Sequence, residues 1–508
     1  MRKLGFLLVL ATVSLLAACG GGSNNSIGTV TAVSVSCSPS TVASGQTSQC
    51  SATVTGTGNF SSAVNWSASA GSISSSGLLT APTVTSSTTV TVTATSVQNS
   101  AISGTAAVTV NPQSAGANVA PIVVDAGPDP STFISANVPF VTVTLCVPGT
   151  TTCQTIDHVT VDTGSSGFRV ISSVLTIPLP AENLSSGNPL YECTVFADGF
   201  VWGSVATANI TVAGESTSTA VPVQIMIPST TSPAPPGSCS NQTTGPNEGG
   251  SVDAFGANAI IGVGLFQQDC GPACTTQNSS IPDIYYACPS SGCNPTYVTI
   301  AQQVPNPVTT FPIDNNGVLI QLPSVPDGGS LNVDGSLIFG IGTESNNGLG
   351  SAVVYQVPDT GNDAGNFITT YAGQAYPQSF VDSGSNGYFF LDPTITGIPA
   401  CSGNLNMWYC PTTSPDNLTA TNQGQNSSGT GVGSAVPVNF SIEDTTTLFN
   451  TSNTAFSTLG GPTAATCGTG SNPVCAFDWG LSFFYSRNVF TAIDTMTTPA
   501  GDGPYWAF

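Results

Sequence analysis

Positive charge is almost missing from this chain. Its 508 residues carry 4 Lys+Arg and 1 His against 26 Asp+Glu, a formal net charge of -22 at pH 7. Nucleic acids and anionic lipid surfaces are held by basic patches, so a charge balance this acidic excludes both as surface partners. Charge of either sign is scarce at 6% of residues, and no Asp, Glu, His, Lys or Arg lies between Cys19 and Ala120. The one histidine, His158 in Thr155-Ile156-Asp157-His158-Val159, reads as an ordinary strand-surface residue. With one histidine there is no Gly-x-Ser-x-Gly elbow with a plausible base, and with no paired CxxC there is no zinc site. Beyond the N-terminus no run reaches 18 apolar residues, and few stretches have a helical period. What is plentiful is Gly (55), Pro (37), Ser and Thr, while 40% of residues stay hydrophobic. Such a chain is rich in turns yet able to bury a core, which predicts an all-β, extracytoplasmic protein of about three domains.

At the N-terminus, Arg2 and Lys3 precede the apolar run Leu4 to Leu16 and the small-residue site Leu16-Ala17-Ala18-Cys19. This resembles a bacterial lipoprotein signal, which implies a signal peptide over 1–18, a lipid on Cys19 and a location in the cell envelope, outer membrane by expectation, facing periplasm or surface. A tether over 19–30 follows, beginning Gly20-Gly21-Gly22-Ser23. Past the signal, Arg169 and Arg487 are the only basic residues besides His158. In acid such a chain loses negative charge and has little positive charge to repel itself, which suits an acidic medium; a generally charge-poor surface explains the same composition. With Cys19 set aside, 14 of the 15 cysteines remain. They fall as near neighbours: Cys37 and Cys50, Cys146 and Cys153, Cys270 and Cys274, Cys288 and Cys293, Cys401 and Cys410, Cys467 and Cys475, leaving Cys193 and Cys239 for each other. Sequence does not fix connectivity, but these pairs are the economical set for an oxidising compartment.

Residues 31–111 alternate apolar and small polar positions in short runs, such as Thr89-Val90-Thr91-Val92-Thr93-Ala94. They read as an antiparallel sandwich, and Val64-Asn65-Trp66 with Gly77-Leu78-Leu79-Thr80-Ala81-Pro82 resembles bacterial immunoglobulin-like domains, which implies a spacer or adhesive module. A linker follows at 112–120. The rest divides into a first lobe at 121–348 and a second at 349–508. A Pro/Ser/Gly-rich insertion from Pro228 to Ser251 reads as a surface loop, either held by a disulfide or mobile.

The two lobes carry one phrase twice, about 220 residues apart: Val161-Asp162-Thr163-Gly164-Ser165-Ser166-Gly167-Phe168 and Val381-Asp382-Ser383-Gly384-Ser385-Asn386-Gly387-Tyr388. A bare Asp-(Ser/Thr)-Gly is cheap in this composition; the extended form repeated is not. An apolar strand ending in Asp and turning through Gly puts a carboxylate at a buried strand end, beside backbone amides and a hydroxyl. Two such turns face to face make a dyad that shares a proton, one member acting as base towards water and the other as acid towards a carbonyl.

On these residues, 121–508 resembles the pepsin-like aspartic proteases, which implies a bilobal double-barrel fold with Asp162 and Asp382 catalytic. Thr163 and Ser383 then interlock the lobes, Gly164 and Gly384 complete the turns, and Ser165 and Ser385 hydrogen-bond the aspartates. Thr194 to Gly203 is similar to the flap hairpin, with Phe196, Asp198 and Gly199 at its tip. Asn258 to Gly264 looks like the apolar-apolar-Gly loop support, Gly335 to Gly340 resembles the strand that closes the first lobe, and Trp479 to Phe484 followed by Val489 to Asp494 resembles the closing strands of the second. The resemblance implies a peptide or protein substrate between the lobes, no metal, no cofactor and a monomer whose only membrane contact is the Cys19 lipid. There are departures: Phe196 replaces the flap tyrosine, Arg169 stands where a flap-supporting Trp is usual, and Asp478 precedes Trp479-Gly480. A buried Asp478 needs a partner or a raised pKa; Arg487 is the nearest base in sequence, and an exposed Asp478 is the plainer expectation. Two readings follow: an envelope-anchored aspartic endopeptidase, and a binding or adhesion lipoprotein that keeps the fold without turnover.

Overall fold

Alternation of valine and alanine with threonine gives strand Thr88–Ser96 one buried face, with Val90, Val92 and Ala94 inward. The same period repeats across the first of the two units into which the chain divides, Met1–Gln113 and Ser114–Phe508. The computed structural model describes residues 28–43, 47–82, 84, 87–111, 118–275, 282–361, 363–463 and 476–508. In the first unit two four-stranded sheets enclose one core built on Val42, Cys50, Leu79, Val90, Val92, Val108 and Val110. Cys37 and Cys50 sit directly opposite on paired strands and are bonded. The first strand starts at Thr29, so the last two residues of the expected tether are already in a sheet.

Among its described residues the second unit is also all-β, with helices of no more than four residues. The described residues form a long sheet of 16 strands, a second of seven and a two-stranded sheet of Thr497–Thr498 with Gly501–Asp502. Strand Val119–Val124 pairs with Val333–Phe339, so the expected linker ends by 118. The long sheet crosses the expected lobe boundary at 348: strands Asn488–Ala492 and Tyr505–Ala507 return to it and pair outward from Gly317–Gln321. The reason is apolar burial, since Phe490, Ala492, Tyr505 and Ala507 close a core with Leu319, Ile338 and Ile341. No helix among the described residues is long and apolar enough to cross a membrane.

Six disulfides join the described cysteines: 37–50, 146–153, 193–239, 270–274, 288–293 and 401–410. Each is a pair expected from spacing or remainder. Cys467 and Cys475, Cys19 and the 1–18 signal lie outside the described residues. The Pro228–Ser251 insertion is tied down by Cys193–Cys239 and by the Trp202 indole N–H donating to the Pro233 carbonyl at 2.8 Å.

Candidate active site

Each aspartate turn is held by a third stretch of chain threaded between the strands that enter and leave it. In the first half, Ala259–Val263 runs parallel to Cys153–Asp162 and antiparallel to Ser166–Ile171, so that Gly262 lies opposite both Asp162 and Gly167. In the second half, Phe477–Trp479 runs parallel to Gln374–Val381 and antiparallel to Tyr388–Phe390, with Trp479 opposite both Val381 and Tyr388. Glycine is needed at both crossings. A Cβ on Gly262 would stand 2.7 Å from the Ser166 carbonyl carbon, and one on Gly480 2.6 Å from the Ser385 oxygen, inside van der Waals contact with backbone.

The two turns are interlocked by four hydrogen bonds of one pattern. The Ser383 N–H donates to Thr163 Oγ1 at 2.9 Å, and the Thr163 N–H to Ser383 Oγ at 3.1 Å. Each hydroxyl then donates to a strand-end carbonyl of the opposite half: Ser383 to Val161 at 2.7 Å and Thr163 to Val381 at 3.4 Å. Thr163 and Ser383 are buried, so these bonds satisfy groups that water does not reach.

The carboxylates face each other across the glycines. A Cβ on Gly164 would fall 2.5 Å from Asp382 Oδ2, and one on Gly384 2.7 Å from Asp162 Oδ1. Both glycines are exposed, Asp162 is buried and Asp382 half-buried, so the pair opens on solvent from a buried floor. The support is matched: the Gly164 N–H donates to Asp162 Oδ1 and the Gly384 N–H to Asp382 Oδ1, each at 2.7 Å. Ser165 donates to Asp162 Oδ2, and Ser385 to Asp382 Oδ2 at 3.2 Å. Burial first, then the charges of Asp162 and Asp478, hold Asp382 well above the ordinary carboxyl range.

Asp478 is the correction to the sequence reading. It is 8% exposed, not a surface residue, and Arg487 does not reach it. The Arg487 guanidinium instead donates to the Phe483 and Asn439 carbonyls and lies over the Phe483 ring at 4.4 Å. Burial pushes Asp478 up to about 8, with Ser385 opposing and Asp162 adding to the rise.

Arg169 anchors a buried ionic cluster that sequence reasoning missed. Its guanidinium donates to Glu192 at 2.6 Å, Asp269 at 3.1 Å, Thr194 at 3.0 Å and the Ser166 carbonyl at 2.7 Å. Tyr285 donates to Asp269 at 2.7 Å and accepts from the Val304 N–H. Burial pushes Glu192 up, but Arg169 and hydrogen bonds from its neighbours reverse that and leave it below its ordinary value. Asp269 is held well above, by burial and by Glu192. The cluster thus sets one cation against two carboxyls, with Glu192 favouring its charged form and Asp269 its neutral form. It ties the strand leaving the first aspartate turn to hairpin strand Leu190–Val195, the support a Trp was expected to give. The available signal was an arginine and a glutamate inside apolar strands of a chain with almost no cations.

The expected flap is a hairpin of Leu190–Val195 and Phe200–Val212, closed by the Phe196 N–H on the Gly199 carbonyl at 2.8 Å. Its tip is not among the groups gathered at the aspartates. Phe196 packs beside Ile171, Val201 and Met226, and Gly199 abuts Glu248, where a Cβ would come within 2.7 Å of Glu248 Cγ. Burial first, then Asp198, pushes Glu248 up to about 7. His158 sits in a strand bulge at φ 46°, its ring nitrogens 3.4 Å from Asp125 and Asp157, apart from the dyad's contacts.

A family model described as "Protein of unknown function (DUF3443)" matches residues 114–508. No curated protein matches the chain. Among solved structures, the crystal structure of an aspartic proteinase from Irpex lacteus is similar at a TM-score of 0.40 and 14% identity, covering 77% of this chain and 96% of that one.

Proposed function

This chain belongs to the DUF3443 family, and from its paired aspartate turns we propose that it is an aspartic endopeptidase built on a pepsin-like bilobal fold. The observation that carries the reading is the reciprocal interlock of Thr163 and Ser383, which sets each aspartate against the glycine of the other turn. In this reading an extended peptide lies over the exposed glycines, with a water between the carboxyls. The carboxyl without the shared proton takes one from the water as its oxygen attacks the scissile carbonyl carbon. The other gives its proton to the carbonyl oxygen, and the raised Asp382 suits that role. The tetrahedral diol then collapses to the acid: one of its hydroxyls returns its proton to the second carboxyl as the C–N bond breaks, and the proton held by the first carboxyl leaves with the amine. No cofactor is required for any of these steps.

The reading extends to location: the signal-like N-terminus supports a lipid on Cys19 and attachment to the cell envelope. The test is hydrolysis of an unfolded protein substrate between about pH 3 and 7 by the wild type and by the Asp162→Asn and Asp382→Asn variants. The reading predicts loss of at least about a hundredfold in each variant with the fold retained, the scale of losing acid–base catalysis. Cleavage at wild-type rate by either variant defeats it. The braced hairpin tip favours the second reading, a binding lipoprotein without turnover, and a folded wild type that cleaves nothing selects it.

A further inference from the structure

The dyad has a third carboxyl at its side. Asp478 lies in the strand next to Asp382, its residue opposite Phe380 on one flank and Phe389 on the other. It is more than nine-tenths buried, and its Oδ1 has no hydrogen-bond partner among the described residues. The charged groups that face it are Asp162 and Asp382, both acidic; the flanking strand Tyr388–Phe390 brings Phe389 opposite it, which carries no charge.

The Ser385 hydroxyl donates to Asp382 Oδ2 at 3.2 Å, and it is also the hydrogen-bonding side chain that opposes the rise of Asp478. A hydroxyl has one proton to donate. Whichever carboxyl it serves, the other must bring its own proton or face a lone pair with a buried negative charge. Three carboxyls without a cation among the groups that face them also cannot all ionise at moderate cost. Burial of Asp478 in the same direction agrees, since it is held up to about 8.

We propose that Asp478 is a positioning residue that acts on Asp382 through Ser385, so that Asp162, Asp382 and Asp478 form one cluster of three carboxyls holding two protons at the working pH. The inference rests on the endopeptidase reading for its kinetic consequence but not for its proton count. Once Asp478 ionises, above neutral pH, its charge resists removal of the proton the dyad shares and so carries the active form to higher pH.

The experiment is a pH titration of the full chain labelled at the aspartate Cγ with carbon-13, read by NMR, with wild type, Asp478→Asn and Ser385→Ala. In Asp478→Asn the uppermost titration of the dyad should fall by about one unit, because a neighbouring negative charge is gone. The alkaline limb of peptide cleavage should move to lower pH by the same amount. An asparagine that merely fills space leaves both unmoved, and that result overturns the proposal. If Asp478→Asn does not fold, Ser385→Ala decides: two carboxyl carbons shift their titrations if Asp478 shares the hydroxyl, and one if it does not. A folded wild type that shows the three-carboxyl titration but cuts no peptide defeats the endopeptidase reading and leaves the cluster standing.

Discussion

Replacing Arg169 with methionine removes the one cation from a cluster in which Arg169 and Glu192 are wholly buried and Asp269 nearly so. At neutral pH the variant strands a buried Glu192 charge, and the folded state escapes by binding a proton. Taking a carboxyl with an ordinary value of 4.5 to its neutral form at pH 7 costs about 1.36 kcal/mol per unit, or about 3.4 kcal/mol. That falls within the range for breaking a buried ion pair from one side, about 3–5 kcal/mol. A unit of roughly 400 residues loses about 1.2 °C of melting temperature per kcal/mol, so calorimetry should show its transition lowered by about 4–6 °C at pH 7. The sign with pH is fixed by the wild type. Glu192 titrates below 4.5 in the fold, so its stabilisation is complete above 4.5 and lost as pH falls through its lower folded value. Asp269, raised in the fold, favours the neutral form and works against stability as pH rises above 3.8. Arg169→Met should therefore lose most at pH 7 and least at a pH below the folded value of Glu192, where only the hydrogen bonds to Ser166 and Thr194, about 1–2 kcal/mol, are lost. An equal loss at both pH values refutes the reasoning.

Further outcomes follow from other contacts. As pH rises through about 7, Glu248 ionises beside Asp198, so amide exchange at Phe196–Gly199, corrected for its intrinsic pH dependence, should quicken in the wild type but not in Glu248→Gln. Gly384→Ala drives a Cβ to 2.7 Å from Asp162 Oδ1 and should abolish peptide cleavage while leaving the melting transition within a few degrees. On the envelope reading, metabolic labelling with a fatty acid should mark the wild type expressed in a Gram-negative host and leave Cys19→Ala unmarked; label on the variant rejects that anchor.

The dyad was legible in the sequence because its chemistry is local: Asp, hydroxyl and Gly must be consecutive to turn a strand end, and the phrase recurs. The disulfides were legible for a similar reason, since five of the six close loops of 4 to 13 residues. The ionic cluster was not, because Arg169, Glu192 and Asp269 come from three segments that only the sheet brings together. Asp478 misled for a different reason. Charge predicts exposure on average, but strand pairing with Gln374–Val381 and Tyr388–Phe390 fixes its burial whatever its side chain. The return of the last strands to the long sheet was not legible either, since a division of the sequence at 348 does not show which strands pair across it.

The central claim, that Asp162 and Asp382 together add water to a peptide bond, is tested most directly by hydrolysis in oxygen-18 water. Purified chain is incubated with an unfolded protein near pH 4, with and without a hydroxyl-bearing transition-state analogue, and the products are read by mass spectrometry. The account predicts new carboxyl termini carrying one heavy oxygen, absent with the analogue and absent in Asp162→Asn. Folded wild-type protein that yields no new termini, or termini that persist in Asp162→Asn, contradicts it.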